Sequence, residues 1–345
     1  MLAALLSCAP VDSIARLAGG PADAASAEAG TGAAFGGGVN LAGAEFAPTV
    51  LPGTYQVDYE YPTHGEVDHF FTRGARVFRL PVLWERVQPA LGAALDATEL
   101  ARVDDFVSYT TASGARVVLD LHSFGAYRGL VVGVAPSAPP SAFADVWSRL
   151  AQHFSGNDRV LFGLSSAPLG TQPATWLGVA NAAIAAIRKT GAMNLVLVPG
   201  GGAADASLWD AAGDGGASSN AATMLGVVDP ASNYVYQLSQ FLDGDGSGTS
   251  GTCVSATIGS DRLQTVIAWL RTNKQRGFLA EFGAGSDATC LAAISDLLAA
   301  VDASREVWVG WTYWAGGPLW GAYPLSIEPA NGVDAPQLAA IAGYF

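Results

Sequence analysis

The sequence predicts a single-domain (β/α)8 (TIM) barrel of the α/β class, and three observations support this fold. Short apolar or β-branched runs recur eight times along the chain, and amphipathic helical segments alternate with them. This alternation predicts parallel strands joined by right-handed crossovers, and eight unbroken units favour a closed barrel over an open sheet. No glycine-rich dinucleotide fingerprint follows the first run, and a length of 345 residues suits one barrel with modest loops.

The eight predicted strands share a short apolar centre that ends in polar or glycine residues. In chain order they span 38–43, 75–82, 115–123, 159–166, 194–200, 233–240, 277–283 and 306–315. The predicted helices carry apolar residues at helical spacing, and several are followed by a glycine, as expected of a helix C-cap. They span 98–113, 141–153, 174–190, 261–274, 289–301 and 335–345.

The composition argues against several classes of partner. The chain has 30 acidic and 17 basic residues, and its net charge of -13 would repel nucleic acid phosphates and anionic membrane surfaces. No apolar run approaches the ~20 residues needed to cross a bilayer, so we expect no transmembrane segment. We expect a neutral ligand, no nucleic acid partner and a monomer.

The beginning of the chain suggests export. Residues 1–8 form a short apolar stretch that ends at Cys8 and resembles the end of a bacterial lipoprotein signal, although no basic segment precedes it. A misplaced start or an ordinary truncated leader is the alternative. Residues 9–36 are rich in alanine and glycine and predict a flexible tether before a domain at 37–345. We expect a secreted, periplasmic or cell-surface protein, and lipidation of Cys8 remains an open alternative.

Active sites of such barrels lie at the carboxyl ends of the strands, where this sequence carries polar and aromatic side chains. In chain order they are Glu45, Arg79, Trp84, Glu85, Asp120, His122, Glu281, Trp311, Trp314 and Trp320. Strand four ends instead at Ser166-Ala167-Pro168, and strand five ends at three successive glycines, 200–202. No group of histidine, cysteine and aspartate has metal-ligand spacing, so we expect neither a metal site nor another cofactor.

Five strand ends carry motifs that together resemble glycoside hydrolase family 5, in its cellulase or endo-β-1,4-glucanase branch. They read GVNLAGAEF at 38–46, FRLPVLWER at 78–86, LDLH at 119–122, LAEFG at 279–283 and GWTYW at 310–314. The resemblance implies the same barrel and a retaining mechanism in which Glu281 is the nucleophile. It also implies that Arg79 steadies Glu281 through charge-assisted hydrogen bonds. A merely structural ion pair between the two is the alternative.

The resemblance fails at the acid/base position. The family places a glutamate after strand four in an Asn-Glu-Pro motif, whereas this chain has Ala167 between Ser166 and Pro168. Strands five and six depart as well, since related cellulases tend to carry asparagine, tryptophan, histidine or tyrosine at the corresponding positions. Here those positions hold Gly201, Ala203, Ser207, Ser239 and Phe241. Losses in three neighbouring strands indicate natural drift rather than one engineered substitution.

Several other side chains have a binding and a structural interpretation. Asp120 and His122 share the inward face of one strand, where they either contact a sugar hydroxyl or hydrogen-bond each other. Trp84, Trp314 and Trp320 lie at or after strand ends, where aromatic rings could stack on pyranose faces. We expect that role most for Trp314, then for Trp84.

Cys253 and Cys290 are the two cysteines of the predicted barrel domain. The barrel places both in loops on the same face, and an oxidising compartment would allow them to form a disulfide. Two buried free thiols are the alternative.

The residues support two main functions. The leading hypothesis is recognition of β-glucan, a cellulose-type polysaccharide or oligosaccharide, by a barrel that keeps Glu281 but has lost most or all hydrolysis. General acid–base assistance typically contributes ~10²–10⁴-fold, whereas ground-state sugar contacts need no acid. The alternative is an active retaining glycoside hydrolase or transglycosidase, which takes its proton from Glu45, Glu85, Asp205 or the substrate, or acts on good leaving groups. A purely structural role is a third possibility.

Overall fold

The computed structural model describes residues 34–202, 204–212 and 217–345. Within them eight parallel strands close into one barrel, in the order in which they occur along the chain. The strands are β1 Gly37–Leu41, β2 Val77–Val82, β3 Arg116–Leu121, β4 Val160–Gly163, β5 Val196–Pro199, β6 Tyr234–Ser239, β7 Gly277–Glu281 and β8 Trp308–Gly316. The expected (β/α)8 barrel is confirmed, and each strand overlaps its predicted segment.

Helices surround the barrel and connect its strands. They are α1 His64–Thr72, α2 Trp84–Val87, α3 Ala97–Ala112, α4 Pro140–Phe154, α5 Pro173–Lys189, α6 Asn220–Thr223, α7 Ile258–Thr272, α8 Ala288–Asp302 and α9 Pro336–Ala342. The six predicted helices correspond to α3, α4, α5, α7, α8 and α9. The loop after β3 contains a short hairpin whose two strands have two residues each, Ala126–Tyr127 and Leu130–Val131.

Local sequence explains where several helices begin and end. Asp96 and Asp287 precede α3 and α8, and the carboxylate of each accepts backbone N–H groups of the first helical turn. Proline opens α4 and α5, where its missing N–H has no helical partner to lose. Gly114 follows α3 with φ +93°, a conformation that glycine adopts without strain.

Apolar side chains fill the barrel toward the amino-terminal ends of the strands. The inward residues there are Val77, Val118, Leu161, Leu197, Val235, Phe278 and Val309. The apolar strand residues that alternate with them point outward and pack against the helices. Toward the carboxyl ends the inward positions become polar, since Arg79 and Asp120 follow two of these residues on the same strand faces. The strand alternation therefore places a polar site above an apolar core.

The expected disulfide between Cys253 and Cys290 is confirmed. Cys253 lies in the loop after β6, as expected. Cys290 was expected in a loop but lies in the first turn of α8, because Asp287 caps this helix just before it. The disulfide therefore ties the β6 loop to the helix that follows β7.

Part of the sequence interpretation concerns residues that the structure does not describe. The predicted leader at 1–8 with Cys8, and 9–33 of the predicted tether, lie outside the described residues. Phe35 already contacts the barrel, because its backbone N–H donates to the carbonyl of Val309 in β8. Phe35 and Gly36, the last residues of the predicted tether, thus lie against β8. In the described part of the chain, every helix is too short or too polar to span a membrane.

Loss of the disulfide is expected to destabilise the fold. The bond joins residues 37 positions apart, and closing a loop of this size removes chain entropy worth about 3–4 kcal/mol from the unfolded state. We expect a Cys253→Ser, Cys290→Ser double variant to lose about 2–4 kcal/mol of unfolding free energy. Urea unfolding of both proteins measures this difference, and equal midpoints with equal slopes would contradict the expectation.

Candidate functional site

Glu281 ends β7 at the mouth of the barrel and is held by two donors. Its Oε1 accepts a hydrogen bond of 2.6 Å from Nη1 of Arg79 and one of 3.0 Å from the hydroxyl of Ser166. The side chain is 13% exposed, whereas that of Arg79 is fully buried. Arg79 of β2 and Ser166 of the loop after β4 therefore fix the carboxylate, which stays partly exposed at the mouth.

Arg79 pairs with two carboxylates inside the barrel. Its Nη2 lies 2.9 Å from Oδ2 of Asp120, and its Nη1 also donates to Oδ1 of Asn40 at 2.7 Å. Burial alone would lower the pKa of Arg79, but the charges of Asp120 and Glu281 outweigh burial and raise the pKa. Asn40 is held in turn by the carbonyls of Ala280 and Tyr313. The guanidinium thus joins β1, β2, β3 and β7.

Asp120 serves this network rather than a ligand. Its side chain is fully buried and touches Arg79 and Nδ1 of His122, the latter at 3.1 Å. Burial alone would raise the pKa of Asp120, but the charge of Arg79 and the hydrogen bond from His122 lower the pKa overall. Of the two interpretations of Asp120, the structure shows the hydrogen bond with His122, and the fully buried carboxylate leaves no surface for a sugar contact.

His122 is the link between the charged network and the mouth. Its ring stacks on Trp314 with a centroid distance of 5.3 Å and an interplanar angle of 13°. Burial alone would lower the pKa of His122, but the hydrogen bond to Asp120 and the charge of Glu281 raise the pKa overall. Phe124, which sequence reasoning missed, meets the histidine edge-on at 5.0 Å and is 41% exposed.

Aromatic side chains form one wall of the mouth. Trp314 lies edge-on to Trp320 at 5.4 Å, and Trp320 stacks on Tyr323 at 4.6 Å with an interplanar angle of 26°. Phe46 and Phe241 pack against the same cluster. Trp314 and Trp320 thus lie together, as their positions after strand eight suggest. Tyr323 was missed, although it follows Trp320 by three residues in the same loop.

Trp84 was expected to line a sugar subsite, and this expectation is wrong. The residue opens the short helix α2 and is only 1% exposed. Its indole packs edge-on against Tyr127 and Phe143, and its N–H donates to Oε1 of Gln88 at 3.0 Å. The turn of α2 directs the ring between the barrel and α4, away from the mouth.

Ala167 lies in the loop after β4, next to the serine that contacts Glu281. It is partly exposed, and its methyl group has no proton to transfer. Two carboxylates that the sequence analysis considered as alternative proton donors already accept hydrogen bonds that hold loops in place. Glu85 accepts hydrogen bonds from the hydroxyl of Ser123 and the backbone of Arg128. Asp205 accepts from the backbone and hydroxyl of Ser207.

Glu45 differs from these two carboxylates. Its Oε2 accepts a hydrogen bond of 2.8 Å from the backbone of Gly43, whereas its buried Oε1 has no hydrogen-bond partner among the described residues. Burial raises the pKa of Glu45, although the nearby charges of His122 and Arg79 partly oppose it. Glu45 therefore retains a proton to higher pH than an ordinary glutamate.

The loops after β4 and β5 enclose a cavity of about 400 Å³ beside the Ala167 loop. It is lined mainly by small or polar residues, among them Thr171, Gln172 and Asp205. Gly201 is clamped there by Asn220, whose amide both accepts from its N–H at 2.8 Å and donates to its carbonyl at 2.9 Å. A Cβ atom on Gly201 would lie 2.7 Å from the backbone of Pro173, so a side chain at this position would displace α5.

Of the other departures, Ser207 donates its backbone N–H to the Asp205 carboxylate that caps the following turn, and Ser239 pairs with Glu281 in the sheet. Ala203 lies outside the described residues. No group of three or more metal-ligating side chains occurs within the described ranges.

Comparison with known proteins gives one consistent family. The family model Cellulase (glycosyl hydrolase family 5) matches residues 34–317. Endo-beta-1,4-glucanase B of Aspergillus niger is 34% identical over 296 residues, which cover 86% of this chain and 85% of that protein. Among solved structures, the endo-beta-1,4-glucanase Xac0029 from Xanthomonas axonopodis pv. citri is 42% identical with a TM-score of 0.87, covering 90% and 98%. XacCel5A in complex with cellopentaose is 38% identical with a TM-score of 0.88, covering 90% and 99%.

The charged network should make the stability contribution of His122 depend on pH. Because the folded-state pKa of His122 is raised, its contribution is fully present below the unfolded pKa of about 6.5 and is lost as pH rises through the folded pKa. We expect the stability gap between the protein and a His122→Gln variant to be largest at about pH 5–6 and to shrink at higher pH. Urea unfolding across this range measures the gap, and a gap that stays constant or widens would refute the assignment.

Proposed function

The chain belongs to glycoside hydrolase family 5, and we propose that it recognises β-glucan at the barrel mouth but hydrolyses it poorly or not at all. One observation carries this proposal. Arg79 and Ser166 hold the carboxylate of Glu281, which the sequence resemblance assigns as the nucleophile, and the same resemblance aligns Ala167 with the acid/base glutamate of the family.

The chemistry of retaining glycosidases explains why a single missing carboxylate matters. Such enzymes use two carboxyl groups about 5–5.5 Å apart, one as nucleophile and one as acid and then base. Without the acid, the departing sugar leaves as an unprotonated alkoxide, and ~10²–10⁴-fold of rate is lost. Ala167 cannot supply the proton, and the nearby Glu85 and Asp205 are engaged in loop hydrogen bonds. Natural glucan would therefore persist on this protein.

Binding does not require the acid. Trp314 is 8% exposed and Trp320 and Tyr323 are partly exposed in the aromatic wall, and aromatic faces pack well against the C–H faces of sugar rings. The related XacCel5A forms a complex with cellopentaose, which supports a linear β-glucan as the ligand class. A neutral glucan also suits a chain of net charge -13, which would repel polyanions.

A second candidate function is glycosyl transfer or hydrolysis of substrates that need no protonation. The contacts of Glu281 with Arg79 and Ser166 favour it, because they orient one carboxylate oxygen and leave the carboxylate open toward the mouth. Glu281 would attack the anomeric carbon, the activated group would leave as a stable anion, and water or a sugar hydroxyl would release the glycosyl-enzyme. For substrates that do need a proton, Glu45 is the remaining candidate donor, because burial raises its pKa.

We also propose that the protein acts outside the cytoplasm, as a secreted, periplasmic or cell-surface protein. The disulfide between Cys253 and Cys290 supports this location, because such bonds persist in oxidising compartments. A lipid on Cys8 would attach the protein to the cell surface, and this proposal rests on the sequence of residues 1–8 alone.

Restoring the acid should restore hydrolysis. We expect Ala167→Glu to raise the rate of cellopentaose cleavage by at least about 10²-fold over the native chain, because protonation of the leaving group becomes possible. Ala167→Gln is the matched control, with similar size and no acid, and should stay at the native rate. Chromatography of the released oligosaccharides measures both.

The same assay identifies the outcome that opposes this proposal. Rapid cleavage of cellopentaose by the native chain, abolished in Glu281→Gln, would prove that a substitute acid exists. Loss of that cleavage in Glu45→Gln would then identify the acid as Glu45. Cleavage of an aryl cellobioside alone, again dependent on Glu281, would support the second candidate function.

The aromatic wall should carry a large part of the binding free energy. We expect Trp314→Ala to weaken the affinity for cellopentaose by about tenfold or more, as for a central contact residue. Trp84→Phe is the control, since this buried ring should affect stability without changing the dissociation constant. Titration calorimetry measures both constants. Equal losses in the two variants would argue against binding at the mouth.

A further inference from the structure

The loop after β6 is organised around one buried carboxylate, Asp243, which is 2% exposed. Its Oδ1 accepts the backbone N–H of Gly248 at 3.1 Å. Its Oδ2 accepts the backbone N–H groups of Thr249 and Ser250, each at 3.1 Å. The hydroxyl of Ser247 adds a fourth donor at 3.3 Å. We call residues 243–250 the hub loop, because four of its residues donate hydrogen bonds to the side chain of Asp243.

The hub loop is not a cation site, although its sequence suggests one. Asp243, Asp245, Ser247 and Thr249 alternate with glycines, a spacing that resembles the oxygen ligands of calcium loops. In the structure, backbone N–H groups point at both carboxylate oxygens of Asp243, and such a nest of donors favours an anion and repels a cation. Asp243 therefore fixes the backbone of the loop.

Gly248 transmits this order toward the barrel mouth. Its carbonyl accepts a hydrogen bond of 2.7 Å from the hydroxyl of Tyr323. Its φ is +72°, and a Cβ atom there would lie 2.6 Å from the ring of Phe241. Only glycine combines this conformation with such close contact. The position of the Gly248 carbonyl is thus set on one side by Asp243 and on the other by Phe241.

Tyr323 connects the hub loop to the aromatic wall. Burial, followed by the charges of Glu281 and Asp243, raises the pKa of Tyr323, so its hydroxyl stays protonated and donates to the loop. Its ring stacks on Trp320 at 4.6 Å, and Trp320 meets Trp314 edge-on at 5.4 Å. The orientation of Trp320 therefore depends on where Tyr323 is held.

Both ends of the surrounding segment are anchored separately. Arg262 of α7 donates to the carbonyls of Phe241 and Asp243, the second at 2.8 Å. Cys253 is bonded to Cys290 of α8 beyond the other end. These anchors hold the segment to the barrel, which leaves the conformation of its middle to the hydrogen bonds of Asp243.

We propose that Asp243 is a positioning residue for glycan binding: it holds the Gly248 carbonyl that fixes Tyr323 and thereby the ring plane of Trp320. This inference rests on the proposed function, since it takes the aromatic wall as the glycan-binding surface. Asp243 itself is buried and touches no ligand. Its effect on affinity passes through the single hydrogen bond between Tyr323 and the hub loop.

A double-mutant cycle on the affinity for cellopentaose tests the proposal. Tyr323→Phe removes the hydroxyl and keeps the ring, and Asp243→Asn replaces an acceptor oxygen with a donor. We expect each single variant to weaken binding by about fivefold, near the value of one net hydrogen bond. The double variant should also bind about fivefold more weakly, rather than about twenty-five-fold, because both changes break the same link.

Asp229→Asn is the matched control. Asp229 is another buried aspartate that accepts backbone N–H groups and pairs with Arg188, but it precedes β6 at the opposite end of the barrel. It should lower the unfolding midpoint and leave the affinity for cellopentaose unchanged. A loss of affinity equal to that of Asp243→Asn would show a general stability effect and overturn the proposal.

The remaining outcomes distinguish the positioning role of Asp243 from the proposed binding of β-glucan. If the native chain binds cellopentaose and Tyr323→Phe binds equally well, the positioning role of Asp243 is wrong while the proposed function stands. Additive losses in the double variant would also overturn the positioning role. If the native chain itself binds no glucan, both fail, and the native titration alone shows this.

Discussion

The buried guanidinium of Arg79 is the interaction on which the rest of the site depends. It lies between Asp120 and Glu281, and it also donates to Asn40. A charge removed from water costs several kcal/mol unless it is paired, and Asp120 and Glu281 together compensate the buried charge of Arg79. The same contacts therefore hold β2, β3 and β7 together and orient Glu281.

The contacts of Arg79 therefore serve both the packing of the strands and the orientation of Glu281. The partners of Arg79 are needed for stability whether or not a glycosidic bond is ever broken. Ala167 lies in a partly exposed loop and Ser166 beside it donates to Glu281. Asn220 holds Gly201 in the loop after β5. The part of the mouth near β4 and β5 thus depends on loop contacts, whereas the position of Glu281 depends on the buried charge of Arg79.

The aromatic wall depends on a different support. Ring contacts join Trp314 of β8 to Trp320 and Tyr323 of the loop that follows it, and that loop is held by the backbone around Gly248. The order of this backbone comes from Asp243, a residue that contacts none of the tryptophans in the described structure. The ion pairs of Arg79 fix Glu281 at the barrel mouth, and backbone hydrogen bonds to Asp243 support the aromatic wall. Substitutions should therefore affect the two parts separately.

The sequence by itself determined the barrel, the order of its strands and the polar strand ends, because periodicity along one strand specifies which side chains point inward. It left the two cysteines open between a disulfide and free thiols, and the structure shows the disulfide. Nor did the sequence determine which of the side chains at strand ends reach solvent. Trp84 follows β2 and Asp120 lies near the end of β3, and both are buried, while Tyr323 and Asp243 lie in loops and were missed. Exposure at a strand end is decided by helices and loops that come from distant parts of the chain. Only the tertiary structure brings those segments together, and no local pattern records how they cover one another.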